Sequence, residues 1–491
     1  MIKTIRNNLS IILIVFTGLF LRLFELRTRP FDGDEGIMVL IASNGWKALF
    51  ERASFDVHPP LYHIFLKLFL NFGTNEWTVR IFSATCGVMI IIGIYYFVCA
   101  LINKKIGIIT SLLVAISPYL IYPSQEARMY SFFALLVFAS YYYFHKLLEK
   151  KDQKYFIGYI IFSVLMIYTQ YLGFIVIFSQ FVYLIICKKF LSYAWKWVVS
   201  WIIILILFLP QAQTFISQFT GRTGEQTGGY NLLDNIKGVI GAFYRMGSGR
   251  IYLDLSPGAI KDLLFSSPVE FIFFTITLII PLVLIILGIK HLYKKDKEKL
   301  FFLATPIIIA IIIGLISSDI GSKASRYFIY IAPFYFIILV IGFNECFAKR
   351  WAIVFPIMFA VISVFALYKH YFVEVKAPGV NKIAAYIDAN SKENDVVLIR
   401  GGFGGGEGWV FDYYNKNKNL KIVDMLGDYK AGNLAQLQSL KSDIKANELE
   451  TKYNTVWYYD MTYSNPLLKG NKIYLGHDKE NKNLILWEIT K

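Results

Sequence analysis

Long apolar runs, separated by short polar segments, cover most of the first 370 residues. A helix needs about 20 mainly apolar residues to cross a bilayer core of about 30 Å. The first run follows Lys3 and Arg6 and has no small-residue cleavage site behind it, which predicts an uncleaved signal anchor. In all, the pattern predicts eleven transmembrane helices: 9–26, 79–102, 105–121, 128–148, 155–170, 171–187, 195–212, 270–290, 300–317, 326–345 and 351–370.

One further apolar stretch, 58–73, has a different pattern. Its large apolar residues recur at helical spacing on one face: Leu61, Ile64, Phe65, Leu68, Phe69 and Phe72. A helix of this length reaches only about 24 Å, and Lys67 lies inside it. The stretch therefore predicts an amphipathic helix at the membrane interface rather than a span.

The charged loops fix the predicted orientation. If 58–73 does not span and the N-terminus is cytoplasmic, the inner loops are 103–104, 149–154, 188–194, 291–299 and 346–350, and nearly all are rich in lysine. Cytoplasmic loops carry such an excess. The sequence thus predicts a multi-pass plasma-membrane protein whose C-terminal tail is extracytoplasmic.

The tail 376–491 has the composition of a soluble α/β domain, so the predicted domains are 1–375 and 376–491. The glycine run 401–408 contains no G-x-G-x-x-G in any register and predicts a flexible turn rather than a nucleotide site. The tail's pattern predicts strands at 395–399, 420–424 and 454–459, helices at 380–390 and 433–450, and a terminal hairpin at 472–488.

Composition supports the membrane interpretation. Of the 491 residues, 56% are hydrophobic and 17% are charged, whereas soluble proteins carry about 25% charged residues. The tail holds 16 basic and 14 acidic residues, so most of the net charge of +16 lies in the membrane part, which argues against nucleic acid as a partner. The four cysteines show no C-x-x-C spacing, so neither a zinc site nor a disulfide framework is indicated.

Ionisable residues are scarce in the middles of the spans and cluster at their predicted outer ends. A transport site is expected near the bilayer midplane, so this distribution favours chemistry at the outer surface. Arginine suits a phosphate group through its fork of donors, and a carboxylate can accept a proton from an acceptor hydroxyl. The candidate site residues are Asp34, Glu35, His58, Arg80, Glu126, Arg128, Lys323 and Arg326.

Five motifs stand out in the membrane part: FDGDEG, HPPLY, TVRIFSA, SPYLIYPSQEARMYSF and SKASRYFIYIAPFY. Together they resemble the GT-C superfamily of polytopic glycosyltransferases, over about residues 1–370. More narrowly, the chain is similar to the protein O-mannosyltransferases and the lipid A aminoarabinose transferase. The resemblance implies a GT-C fold, here an all-α membrane domain of about eleven spans with interfacial helices and the C-terminal soluble α/β domain.

The resemblance also implies a mechanism. It implies a polyprenyl-phosphate-linked sugar as the donor and catalysis on the outer face of the membrane. It also implies that Asp34 is the catalytic base with Glu35 as its partner, and that Arg128 and Arg326 match arginines that face the donor phosphate. The predicted function is an inverting glycosyltransferase that transfers one sugar to a hydroxyl of a lipid, glycan or protein acceptor.

One departure concerns a histidine of similar sequences, which often read Tyr-Thr-His-Tyr where this chain has Tyr168, Thr169, Gln170 and Tyr171. A metal site carried over from those sequences is therefore in doubt. The cofactor is left open, with a divalent metal ion as one option.

Other interpretations stay open. Asp34 and Glu35 could be solvated loop acids, His58 a helix cap, Glu126 and Arg128 an exposed ion pair, and the remaining basic residues interfacial anchors. A transporter or flippase of lipid-linked sugars is the alternative function. A non-catalytic receptor or assembly protein that displays the tail is a third.

Overall fold

The computed structural model describes residues 2–54, 56, 58–191, 194–222, 232–248, 265, 268–317, 324–346, 354–374, 379–400, 406–417, 419–424, 453–460, 471–477 and 483–490. Most of these residues are helical. The helices of the first 222 residues are α1 (Ile2–Leu23), α2 (Gly33–Ser43), α3 (Trp46–Ala53), α4 (Leu61–Leu70), α5 (Glu76–Leu101), α6 (Lys104–Ile116), α7 (Pro118–Ser124), α8 (Tyr130–Lys150), α9 (Gln153–Thr169), α10 (Gly173–Ile186) and α11 (Ala194–Arg222).

The second half of the chain adds further helices and all of the strands. The helices are α12 (Leu232–Ser248), α13 (Pro268–Lys295), α14 (Lys297–Ile316), α15 (Ala324–Tyr327), a 3-10 turn (Phe328–Ile331), α16 (Ala332–Cys346), α17 (Val354–Lys369), a π-helical turn (His370–Glu374), α18 (Val380–Asn390) and α19 (Gly406–Tyr414). The strands are β1 (Val396–Arg400), β2 (Lys421–Asp424), β3 (Thr455–Asp460), β4 (Asn471–His477) and β5 (Asn483–Thr490).

Every predicted span coincides with helical structure. Among the described residues, seven helices are long and apolar enough to cross a membrane, or up to eight when the bent pair α6 and α7 counts as one span. These two helices meet at an angle of 57°. Pro118 explains the break, because it has no N–H to continue the hydrogen bonding of α6. Helices α9 and α10, at the fifth and sixth predicted spans, are shorter than this length test requires, with 17 and 14 residues. Of α1, the test covers only Leu9–Leu23.

The chain divides into two compact units. The first comprises residues 1–24 and 83–368, and the second comprises residues 25–82 and 369–491. The second unit therefore combines the segment after the first predicted span with the C-terminal tail.

Within the first unit, α13 and α16 pack through glycines. A Cβ on Gly342 would collide with the carbonyl oxygen of Leu284, and one on Gly288 would collide with that of Ile338. Small residues allow membrane helices to approach backbone to backbone. The two glycines thus determine how closely these helices pack.

The segment 27–57 lies between the first predicted span and the predicted helix 58–73, where the sequence predicts a loop; instead, α2 and α3 form within it. Ile41, Leu49 and Ala53 make a small buried cluster, against which Ile37 and Ile64 pack. Helix α4 is also shorter than the predicted 58–73, with ten residues. It begins only after Pro59 and Pro60, which cannot donate backbone hydrogen bonds.

The tail contains the predicted sheet, in the order β2-β1-β3-β5-β4. Strand β1 is parallel to β2 and β3, and β5 is antiparallel to β3 and β4, so the three predicted strands and the terminal hairpin are confirmed. Helix α18 matches the prediction for 380–390. The predicted helix 433–450 and residues 401–405 lie outside the described residues. The predicted turn is wrong for 406–408, because these residues begin α19.

Candidate functional site

Residues 31–36, here called the acidic turn, lie at the start of α2. Asp32 is the N-cap residue, and its Oδ1 accepts the backbone N–H of Glu35 at 3.0 Å. Asp34 and Glu35 therefore lie in the first helical turn, where negative charge is favoured by the helix dipole. Asp34 is half-buried, so its side chain retains contact with solvent.

Glu35 is the centre of a buried ionic cluster. Its Oε1 lies 2.8 Å from Nε of Arg80 and 3.3 Å from Nη2 of Arg29, and its Oε2 lies 2.6 Å from Nη2 of Arg80. Burial raises the pKa of this carboxyl, but the charges of Arg80 and Arg29 and the hydrogen bond from Arg80 outweigh burial and leave the pKa below its usual value. Glu35 is therefore held as an anion.

Arg80 uses its whole guanidinium inside this cluster. Besides its two bonds to Glu35, it donates from Nη1 to the carbonyl oxygens of Leu26 at 2.9 Å and Arg29 at 2.7 Å, and from Nη2 to that of Pro30 at 3.2 Å. A guanidinium has five N–H donors, and all of them are occupied here. The geometry thus supports a role for Arg80 in folding residues 26–35, while its predicted contact with substrate stays a prediction.

His58 belongs to a second buried cluster in the same unit. Oδ2 of Asp56 lies 3.5 Å from Nδ1 of His58 and 3.5 Å from Nε2 of His63. His63 belongs to α4, and its side chain is fully buried. Asp56 thus links the segment before the two prolines to the helix after them.

Glu126 and Arg128 lie in the first unit, in the connection between α7 and α8, and both are buried. Neighbouring Gln125 anchors this connection to the end of α1 and the residues after it, because its Nε2 faces the carbonyl oxygens of Leu21, Arg22 and Phe24 at 3.3, 3.1 and 2.8 Å. Arg22 completes the anchor by donating to the carbonyl oxygens of Val114 and Ala115 at 3.2 and 3.0 Å.

Arg128 and Arg326 lie on segments that touch each other in the first unit. The guanidinium of Arg128 lies 5.7 Å from the ring centre of Tyr130, and this ring meets that of Tyr327 edge to face at 6.5 Å. Arg326 precedes Tyr327 in α15 and is exposed. Lys323 lies outside the described residues.

Two residues of these clusters, Arg29 and His63, were missed from the sequence because neither has a motif of its own. The start of α2 did have a signal, because Asp32 followed by Glu35 three residues later, just before an apolar run, is typical of a helix N-terminus.

No metal centre is evident in the part of the chain that the structure describes. No three His, Cys, Asp or Glu side chains there are grouped so that they could hold a metal ion. Gln170, which stands in place of the histidine of similar sequences, is buried at the C-terminal end of α9.

Comparison with known proteins agrees with the observed fold. Residues 57–213 match the family described as dolichyl-phosphate-mannose-protein mannosyltransferase. No curated protein sequence matches the chain significantly.

Two solved proteins give the structural comparison. The fold is similar to that of ArnT from Cupriavidus metallidurans bound to undecaprenyl phosphate, with a TM-score of 0.62 and 12% identity over 98% of each chain. It is also similar to the oligosaccharyltransferase AglB from Archaeoglobus fulgidus in complex with an inhibitory peptide and a dolichol-phosphate. There the TM-score is 0.54 and the identity 11%, over 93% of this chain and 70% of that one. This chain therefore shares the fold of these two solved proteins, the fold that the resemblance to the GT-C superfamily implies.

Proposed function

We propose that this protein is an inverting glycosyltransferase that moves a sugar from a polyprenyl-phosphate donor to a hydroxyl acceptor. The match of residues 57–213 to a mannosyltransferase family supports sugar transfer. The likeness in fold to proteins solved with undecaprenyl phosphate and with a dolichol-phosphate supports a lipid phosphate as the carrier. The acceptor is a lipid, a glycan or a protein.

The observation that carries the mechanism is the difference in exposure between the two carboxylates of the acidic turn, Glu35 and Asp34. Glu35 is fully buried and bound by two arginines, so it is not available as a base. Asp34, next to it, is half-buried and in contact with solvent. This difference in exposure supports Asp34, rather than Glu35, as the carboxylate that meets an acceptor hydroxyl.

The reaction then proceeds in one displacement. Asp34 accepts the proton of the acceptor hydroxyl as its oxygen attacks the anomeric carbon, and the bond from that carbon to the phosphate oxygen breaks. The electron pair leaves with the polyprenyl phosphate. A single attack from the opposite side inverts the anomeric configuration.

A departing phosphate needs positive charge, and the proposal assigns this to Arg128 and Arg326. Charge-assisted hydrogen bonds from a guanidinium to phosphate are strong and often two-pronged. Contact between the rings of Tyr130 and Tyr327 supports a shared role for the two segments.

The remaining predicted groups take supporting roles in the proposal. His58, 3.5 Å from Asp56, and Glu126, two residues before Arg128, are candidates for contact with the sugar. Lys323 is a candidate for contact with the phosphate.

The proposal places the reaction outside the cytoplasm of a plasma membrane. Lysine-rich loops on the predicted inner side support a cytoplasmic N-terminus and an extracytoplasmic tail. Alkaline phosphatase fused after residue 491 should be active in a bacterial host, and fused after Lys151 it should be inactive. The reverse pattern would overturn the orientation.

Transfer can be tested with lipids from cells that lack the protein, where unused donor should accumulate. We expect proteoliposomes with the purified protein to release free polyprenyl phosphate and to form a new glycoside, both detected by mass spectrometry. Movement of the lipid-linked sugar across the bilayer with no new glycoside would favour a flippase instead.

A further inference from the structure

The acidic turn is fixed on both sides of Asp34. On the C-terminal side, Glu35 is bound by Arg80 and Arg29. On the N-terminal side, Phe31 is held by residues of the C-terminal tail, although nearly 400 residues of sequence separate them. Both contacts lie within the second unit.

The hydroxyl of Tyr414 makes the polar part of the second contact. It accepts the backbone N–H of Phe31 at 2.9 Å and donates to Oε1 of Glu76 at 2.8 Å. Burial raises the pKa of Tyr414, so the hydroxyl keeps the proton that it donates to Glu76. Tyr414 thus connects the acidic turn to the first turn of α5.

The ring of Phe31 makes the apolar part. It is almost fully buried, with 2% exposed. Trp409 and Tyr413 of α19 meet it edge to face at 5.5 and 5.2 Å, and the guanidinium of Arg80 lies 5.1 Å from its centre. The same arginine therefore contacts Phe31 and binds Glu35, and Asp34 lies between those two residues in the chain.

We propose that Tyr414 is a positioning residue for Asp34, so that the C-terminal tail takes part in catalysis by holding the acidic turn in place. This inference rests on the proposed role of Asp34 as the base. A base must lie within hydrogen-bond reach of the hydroxyl that it deprotonates, and a displacement of about 1 Å can cost about 100-fold in rate. Tyr414 is one of the groups that prevents this displacement.

The test is Tyr414→Phe, which keeps the ring and removes the hydroxyl. We expect kcat for sugar transfer to fall about 10- to 100-fold, with the KM for donor and acceptor changed by less than about threefold. The midpoint of thermal unfolding should fall modestly, because two hydrogen bonds are lost, but the protein should stay folded at the assay temperature because the packing of the ring is retained. Full activity in this variant would overturn the proposal, as would a loss of kcat that only follows a loss of folded protein.

Two further variants complete the design. Tyr386→Phe is the matched control, since this tyrosine of α18 packs against Trp457 of the sheet and should leave kcat unchanged. If Tyr414→Phe fails to fold, Glu76→Gln removes the charge that binds the Tyr414 hydroxyl and keeps an acceptor there. It should lower kcat by a smaller factor with KM unchanged, and an unchanged kcat would overturn the proposal.

Asp34→Asn, measured beside these variants, separates this inference from the proposed function. If Asp34→Asn retains full activity, the proposed base is wrong and the positioning role falls with it. If Asp34→Asn is inactive while Tyr414→Phe is fully active, only the positioning role is wrong.

Discussion

Glu35 and Arg80 form a two-point ion pair with both side chains buried, in which Oε1 lies 2.8 Å from Nε and Oε2 lies 2.6 Å from Nη2. The pair joins the first turn of α2 to the first turns of α5. The pair also gives the two neighbouring carboxylates different environments. Glu35 is buried and has a structural role, whereas Asp34 is half-buried and in contact with solvent.

Removal of the Glu35 charge should destabilise the protein strongly. Glu35→Gln leaves Arg80 and Arg29 buried without their counter-ion, and breaking such a pair costs about 3–5 kcal/mol. We expect a clear fall in the unfolding midpoint of the purified protein in detergent.

Glu51→Gln is the matched control for that experiment. Glu51 is exposed and lies 3.8 Å from the exposed Lys47, so its removal should change stability by less than about 0.5 kcal/mol. Equal losses in the two variants would contradict a structural role for Glu35.

The stability that Glu35 provides should depend on pH in one direction. Since the pKa of Glu35 is lower in the folded protein than its ordinary value of 4.5, its contribution is fully present above that value. It is lost as the pH falls through the folded pKa. The difference in unfolding midpoint between the wild type and Glu35→Gln should be constant from about pH 6 to 8 and shrink below about pH 4. A difference that grows towards acid pH would show that the sign is wrong.

Replacement of Gln125 by the isosteric glutamate should lower the stability of the protein. In Gln125→Glu the two N–H donors that face the carbonyl oxygens of Leu21, Arg22 and Phe24 are replaced by an acceptor. Each buried polar group without a partner costs about 1–3 kcal/mol. We expect a lower unfolding midpoint, whereas Gln153→Glu, at the exposed first turn of α9, should be neutral or slightly stabilising. Similar midpoints for the two variants would count against the anchor.

Close packing of α13 and α16 predicts that Gly342→Ala is destabilising. Its methyl group would collide with a backbone carbonyl, which cannot rotate away. Overpacking typically costs about 1–3 kcal/mol, and we expect a loss of stability at the upper end, about 3 kcal/mol. Gly93→Ala is the control, because a Cβ there has no neighbour within 4 Å. Thermal unfolding of both variants in detergent is the measurement, and equal midpoints would contradict this account.

Much of the fold could be predicted from hydrophobic patterning alone. The apolar runs located the helices of the membrane part, and alternation in the tail located β1, β2, β3 and the hairpin. The number of long spans could not be read this way, because length and continuity depend on local breaks. Pro118 divides one apolar run into two helices that meet at 57°.

The different environments of Asp34 and Glu35 in the acidic turn could not be predicted from the sequence. The resemblance singled out Asp34 and Glu35 as a pair, but their different environments come from Arg29, Arg80 and Phe31, whose contacts depend on the folded chain. No local pattern links Phe31 to Tyr414, since the contact joins residues 383 positions apart.

The most direct test of the central claim is the transfer rate of Asp34→Asn in proteoliposomes, measured as release of polyprenyl phosphate from the accumulated lipid-linked sugar. Asp32→Asn is the matched control in the same turn, because asparagine caps a helix as well as aspartate does. A general base contributes about 100- to 10,000-fold to a rate. The account predicts a loss of that size for Asp34→Asn, with the unfolding midpoint unchanged and most activity retained by Asp32→Asn. A folded Asp34→Asn protein that transfers sugar at the wild-type rate would contradict it.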